Sequence, residues 1–165
     1  DFIEGNKSEE VDMTDAGTYQ QAYAVQAIGS GQLTGKGLNN NDTSSLKNAG
    51  YIAEAQNDFI FAVIGEELGF VGSIFVIFLY FLLLYRTLVI AKSSEDIFGS
   101  LLACGIFSMW LFQVFINVGM TLGIMPVTGI PLPFMSYGGS ALLMNLFCVG
   151  ILMNVYLRRK KMMFE

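Results

Sequence analysis

Carboxylates are the side chains of this sequence best placed to do chemistry. Asp58 stands directly before the apolar run 59–64, and Glu66 and Glu67 follow two turns later. A charged carboxylate at the edge of apolar surroundings is costly to desolvate, and this cost can make it a general base or acid. The ordinary alternative is an acid near a helix start, favoured by the helix dipole. Asp58 with Glu66 or Glu67 could also bind a divalent cation, Mg²⁺ or Mn²⁺, although no ligand loop accompanies them.

A lysine in the glycine-rich stretch 29–37 is a candidate partner for a phosphate group. Glycine backbone and a lysine ammonium can surround phosphate oxygens, which makes Lys36 a candidate ligand. The stretch does not match a nucleotide-binding P-loop, because that motif needs glycine where Ser30 stands and Ser or Thr where Gly37 stands. The alternative is a flexible turn that follows the amphipathic stretch 19–28.

The elements that position these residues must suit a membrane protein. Hydrophobic residues make up 53% of the 165 residues and charged residues only 14%, and the mean hydropathy is +0.54. An ordinary soluble domain carries roughly 25% charged residues. The chain has no histidine and two cysteines. Histidine catalytic triads, histidine-bound zinc and disulfide-rich scaffolds are therefore excluded.

Three apolar segments are long enough to cross a bilayer. The sequence predicts these spans at residues 68–92, 97–125 and 141–157. The tail 158–165 begins with a block of four basic residues, which marks the cytoplasmic side of a membrane. Alternation of the spans then places the acidic segment 1–67 and the link 126–140 outside. We expect an all-α, polytopic membrane protein whose large external loop carries short amphipathic helices.

The link 126–140 contains all three prolines of the chain, together with Ile, Leu, Phe and Met side chains. Such a segment tolerates membrane depth only where it packs against protein or lines a cavity. The composition predicts a re-entrant loop. Asn117 and Gln113 lie inside the second span, where we expect them to form interhelical hydrogen bonds.

Three motifs resemble those of the SEDS family (shape, elongation, division and sporulation proteins), and the resemblance extends over residues 19–160. They are Gly29-Ser30-Gly31 with Gly35-Lys36-Gly37, the stretch from Asp58 to Phe70, and the stretch from Asn117 to Ser140 that includes Ser136-Tyr137-Gly138-Gly139. The essential aspartate of that family, in a His-Thr-Asp-Phe context, corresponds to Asp58. Here Gln56 and Asn57 precede it.

The resemblance implies a function. SEDS proteins are multi-spanning proteins of the bacterial plasma membrane that polymerise the lipid-linked precursor lipid II into glycan strands. It implies that the chain, which has no initiator Met and no signal segment at its start, is the C-terminal part of a peptidoglycan glycosyltransferase. Asp58 would be its general base. Lys36, Glu67, Ser136 and Tyr137 would contact the substrate.

The same resemblance implies partners and a location. The partners are lipid II, the growing glycan strand, membrane lipid and a class B penicillin-binding protein, and nucleic acid is not among them. The loop 1–67 would lie outside the plasma membrane and the C-terminus in the cytoplasm. Two other functions remain open: a lipid II carrier or flippase, which would tolerate loss of a catalytic base, and a non-catalytic scaffold that docks the penicillin-binding protein.

Overall fold

The computed structural model describes residues 16–37 and 58–161, and these residues form helices and no strand. The helices are α1 (Ala16–Ser30), α2 (Ile60–Ser93), α3 (Ile97–Thr121) and α4 (Gly139–Lys161). This architecture confirms the all-α fold that the composition predicts. The acidic N-terminal stretch, most of the predicted external loop and the last four residues of the tail lie outside the described residues.

Three of the helices are long and apolar enough to cross a membrane. They are α2, α3 and the part of α4 from Gly139 to Arg158. Many of their large apolar side chains point away from the bundle; Phe75, Phe81 and Phe112 are each exposed by 60% or more. Water would oppose so large an apolar surface, whereas lipid tails favour it. The surface agrees with the membrane protein that the sequence predicts.

Helix α2 is broken near its start. Gly69 has φ 67° and ψ −163°, which no other residue type adopts without strain, and the break separates residues 60–68 from residues 70–93. The second piece covers most of the segment 68–92 that the sequence assigns to the first span. The first piece packs on α1 instead, around Ala24, Ala27 and Ala62.

The ends of α3 follow from local sequence. At its start, the Asp96 carboxylate accepts a hydrogen bond from the Phe98 amide at 3.3 Å. At its end, Gly123 has φ 79°, Ile124 N donates to Gly119 O, and Gly123 N donates to Met120 O. This is a Schellman arrangement, which ends a helix and turns the chain. It directs the chain into the proline-rich link.

The three spanning helices share an apolar core that extends from the end of the bundle where α2 stops and α3 begins to the middle of α3. Trp110 is completely buried there between α3 and α4, with Ala91, Ala103 and Leu152 around it. Its indole N–H donates to Asn145 Oδ1 at 2.9 Å, so that the one polar atom of the ring is satisfied. A second cluster lies toward the other end and contains Phe61, Val76, Tyr80 and Leu132.

Candidate functional site

Asp58 lies immediately before α2, half-buried, with its backbone held from α3. Its carbonyl oxygen accepts a hydrogen bond from Asn117 Nδ2 at 2.9 Å. Its carboxylate faces the proline-rich link, because a methyl group placed on Gly129 would lie 3.4 Å from Asp58 Oδ2. Gly129 has φ 67°. The sequence-predicted base and the proline-rich link are therefore neighbours, although 71 residues of sequence numbering separate Asp58 from Gly129.

The link between α3 and α4, residues 122–138, packs into the bundle. Leu132 and Pro133 are buried, and the Tyr80 hydroxyl of α2 donates to the Pro133 carbonyl. Phe134 contacts Trp110 edge to face, with 5.5 Å between the ring centroids. Irregular backbone at this depth is tolerated only when protein covers it and satisfies its polar groups. These contacts fix the link against the middle of α2 and of α3.

Ser136 and Tyr137, the two link residues expected to contact substrate, differ in exposure. The Ser136 hydroxyl accepts a hydrogen bond from the Leu132 amide at 2.7 Å and closes a turn inside the link. The Tyr137 side chain is 79% exposed. Tyr137 is the more accessible of the two to a ligand outside the bundle.

Lys36 forms an ion pair with Glu66, and this pair joins the glycine-rich loop (residues 31–37) to the first piece of α2. Lys36 Nζ lies 2.9 Å from Glu66 Oε1, and the exposed fractions of the two side chains are 24% and 3%. A carboxylate this deeply buried is stable only when a cation or hydrogen-bond donors accompany it. Lys36 supplies the cation.

The glycine-rich loop also repairs the break in α2. An unbroken helix would bond the amides of residues 70 and 71 to the carbonyls of residues 66 and 67. In the structure the loop takes both sets of groups, through Lys36 N to Glu66 O, Gly37 N to Glu67 O, Phe70 N to Gln32 O and Val71 N to Leu33 O. Two helical bonds are replaced by four bonds to the loop, which leaves these backbone groups satisfied.

The break should therefore depend on glycine. We expect Gly69→Ala to destabilise the protein by about 3 kcal/mol, because it combines a strained backbone with a methyl group that would clash with the Gly35 amide nitrogen. Thermal unfolding in detergent measures the change. The control is Gly105→Ala in α3, where a methyl group meets no atom within 4 Å, and which should stabilise by about 0.5–1 kcal/mol through helix propensity. Equal unfolding temperatures for the two variants would contradict this reading of the break.

Sequence reasoning named Glu67 as a substrate contact, and the structure places Glu66 and Glu67 differently. Glu66 is buried against Lys36, whereas Glu67 is half-buried and its carbonyl accepts from Gly37 N. Adjacent helix residues point about 100° apart, so the sequence cannot choose which one faces the loop. Asn117, completely buried beside Asp58, was expected to bond between helices and instead bonds to the backbone outside them.

The site residues fall into two groups. Asp58, Asn117 and Gly129 lie together at the start of α2, and Lys36 with Glu66 lies farther along its first piece. Ile60, the first residue of α2, and Glu66 are about 9 Å apart along the helix axis. Within residues 16–37 and 58–161, no three His, Cys, Asp or Glu side chains come together as metal ligands. The two groups could instead contact different parts of one extended ligand.

A cavity of about 780 Å³ lies at the far end of α3 from Asp58. Its lining includes Phe98, Leu102, Asn154 and Arg158. None of the residues that the sequence selects for chemistry lines this cavity. The candidate site is therefore the contact between the start of α2 and the proline-rich link.

Comparisons with known proteins agree on one family. The family model for FtsW, RodA and SpoVE, described as cell cycle proteins, matches residues 6–161. Stage V sporulation protein E of Bacillus subtilis is 46% identical over 83% of this chain and 36% of its own length. Peptidoglycan glycosyltransferase MrdB of Escherichia coli is 46% identical over 81% of this chain and 35% of its own length.

A solved structure gives the same result in three dimensions. It is a peptidoglycan synthase complex, studied for its coordination of polymerization and crosslinking, and one of its chains aligns with a TM-score of 0.71 at 32% identity. The alignment covers 86% of this chain and 37% of the other. The chain thus spans about a third of the length of the relatives and the structure that it matches.

Proposed function

The chain belongs to the FtsW, RodA and SpoVE family of cell cycle proteins, and from this premise we propose that it forms the C-terminal portion of a membrane peptidoglycan polymerase. The polymerase joins lipid II disaccharides into glycan strands. The observation that carries the proposal is the position of Asp58, whose carboxylate lies at the start of α2 beside the proline-rich link.

Asp58 acts as general base in this proposal. It removes the proton from the 4-hydroxyl of the acceptor sugar while that oxygen attacks the anomeric carbon of the growing strand. A carbon–oxygen bond forms between the two sugars, and the bond from the anomeric carbon to the lipid pyrophosphate breaks. The proton stays on Asp58 and the electron pair leaves with undecaprenyl pyrophosphate. The half-buried position of Asp58 supports this role, because the residue is partly accessible from outside and partly covered by protein.

The remaining sequence-selected residues contact other parts of the substrate. Lys36 supplies positive charge to the pyrophosphate leaving group, for which it must share its ammonium with Glu66. Glu67 lies beside this pair, and Ser136 and Tyr137 lie on the link, where they contact the lipid headgroup. The spacing along the first piece of α2 suits an extended substrate that reaches both groups. A bound Mg²⁺ or Mn²⁺ is the alternative to Lys36 as the source of positive charge beside the pyrophosphate.

The proposal includes a membrane topology and a partner. The start of α2 and the proline-rich link lie on the external side of the bacterial plasma membrane, and the basic end of α4 lies on the cytoplasmic side, as expected from its charge. The partner is a class B penicillin-binding protein. The similarity to a chain of a peptidoglycan synthase complex supports a partner of this kind.

Incubation of the purified protein that carries this chain with labelled lipid II and a penicillin-binding partner tests the proposal. We expect glycan strands that a muramidase degrades. A lipid carrier would instead move lipid II between leaflets of vesicles without forming strands, and a scaffold would do neither. Scrambling without polymer would overturn the polymerase proposal in favour of the carrier.

A further inference from the structure

We propose that Asn117 is a positioning residue for Asp58: one side-chain amide sets the distance between the base and the proline-rich link. The inference rests on the proposed role of Asp58 and extends it to a residue on a different helix. Asn117 lies in the last two turns of α3 and is completely buried.

The contacts of the Asn117 amide are specific. Its nitrogen donates to the Asp58 carbonyl at 2.9 Å and to the Ile130 carbonyl at 2.8 Å, which uses both of its N–H groups. The opposite orientation of the amide would place its oxygen against two carbonyl oxygens. Within the described part of the chain, Asn117 Oδ1 is buried and has no hydrogen-bond partner. The two donated bonds are thus what this buried amide contributes.

The first of these bonds holds the Asp58 carbonyl, which lies before the first turn of α2. The hydrogen bonds at the start of α2 begin at the Phe59 carbonyl, which accepts from Ala62 N and Val63 N. Asp58 precedes that first turn, and its carbonyl oxygen accepts the hydrogen bond from the Asn117 amide of α3. A rigid helix therefore fixes the backbone from which the carboxylate extends.

The second bond fixes the surface that faces the carboxylate. Ile130 follows Gly129, the residue next to Asp58 Oδ2. The Asp58 carbonyl and the Ile130 carbonyl are bonded to the same nitrogen atom, so movement of the link relative to the Asp58 backbone requires at least one of the two bonds to break. Misplacement of a catalytic group by about 1 Å can cost about 100-fold in rate.

The test replaces Asn117 by leucine, which has a similar size and no donors, and measures polymerisation of lipid II. We expect kcat to fall about 10- to 100-fold and KM for lipid II to change less than about threefold, since the contacts to substrate remain. Asp58→Glu already displaces the carboxylate by one methylene. In that background, adding Asn117→Leu should lower kcat by less than about threefold relative to Asp58→Glu alone. If Asn117→Leu lowers kcat as much in the Asp58→Glu background as it does in the wild-type protein, the proposal is overturned.

Asn145→Leu is the matched control. Asn145 is also a buried asparagine. It accepts a hydrogen bond from Trp110, which packs on Phe134 of the same link, and none of these contacts involves Asp58. We expect its kcat to stay within about threefold of wild type. Equal losses of kcat for the two variants, or a loss that appears only in KM, would overturn the proposal. If Asn117→Leu does not give folded protein in detergent, Asn117→Ser and Asn145→Ser replace the pair with the same criteria.

Asp58→Asn separates this inference from the proposed function. Wild-type activity in Asp58→Asn would overturn both, because Asn117 would have no base to position. An inactive Asp58→Asn with a fully active Asn117→Leu would overturn only the positioning role.

Discussion

Replacement of Asp58 by asparagine should abolish glycan-strand formation from lipid II, with a loss of at least about 100-fold. The substitution keeps the size of the side chain and removes its ability to accept a proton. The backbone contact with Asn117 involves the carbonyl of residue 58 and does not depend on the side chain. The protein should therefore fold and insert normally. The measurement is polymer formation by the protein with its penicillin-binding partner, with detergent-solubilised yield as the check on folding.

Asp96→Asn is the control for this prediction. Asp96 also stands at the start of a helix, but it caps α3 at the opposite end from Asp58, and asparagine is an equally good cap. Full activity in Asp96→Asn beside none in Asp58→Asn would identify the carboxylate of Asp58 as essential. Equal polymer from wild type and Asp58→Asn would move the base elsewhere, with Glu67 the next carboxylate to replace.

Replacement of Lys36 by methionine should destabilise the protein by about 3 kcal/mol, the low end of the range for breaking a buried ion pair. Lys36 itself is partly exposed, so water screens some of its charge, but Glu66 is 3% exposed and would lose its cation. The backbone bonds between the glycine-rich loop and α2 would remain, without the ion pair that accompanies them. Thermal or denaturant unfolding in detergent measures the loss.

Two further variants show whether the loss of stability in Lys36→Met comes from the buried Glu66 carboxylate that has lost its cation. The double variant Lys36→Met/Glu66→Met should recover most of the lost stability, because replacing both partners of a buried pair by apolar groups is often neutral. Lys92→Met, at the exposed end of α2, should cost less than about 1 kcal/mol. A double variant as unstable as Lys36→Met would show that Lys36 stabilises the loop by other means than pairing Glu66.

The sequence alone was sufficient for the fold class and the family. A bilayer requires about 20 consecutive apolar residues for each crossing, and a chain that is 53% hydrophobic shows such segments directly. The motifs around Lys36, Asp58 and Ser136-Tyr137 carried the family resemblance because they are local stretches of sequence. The bounds of α2 were harder to predict from the sequence. The helix begins at Ile60, and the only local sign of its break is Gly69.

Only the tertiary structure decided which of these residues meet. Glu66 and Glu67 are adjacent residues of the same type, so the sequence does not distinguish them. The break at Gly69 and the docking of the glycine-rich loop determine that Glu66 is the buried one. The bond from Asn117 to Asp58 joins positions 59 residues apart. No periodicity or propensity encodes such a contact. It exists because the ends of two helices and a buried link must satisfy one another's backbone groups where water cannot.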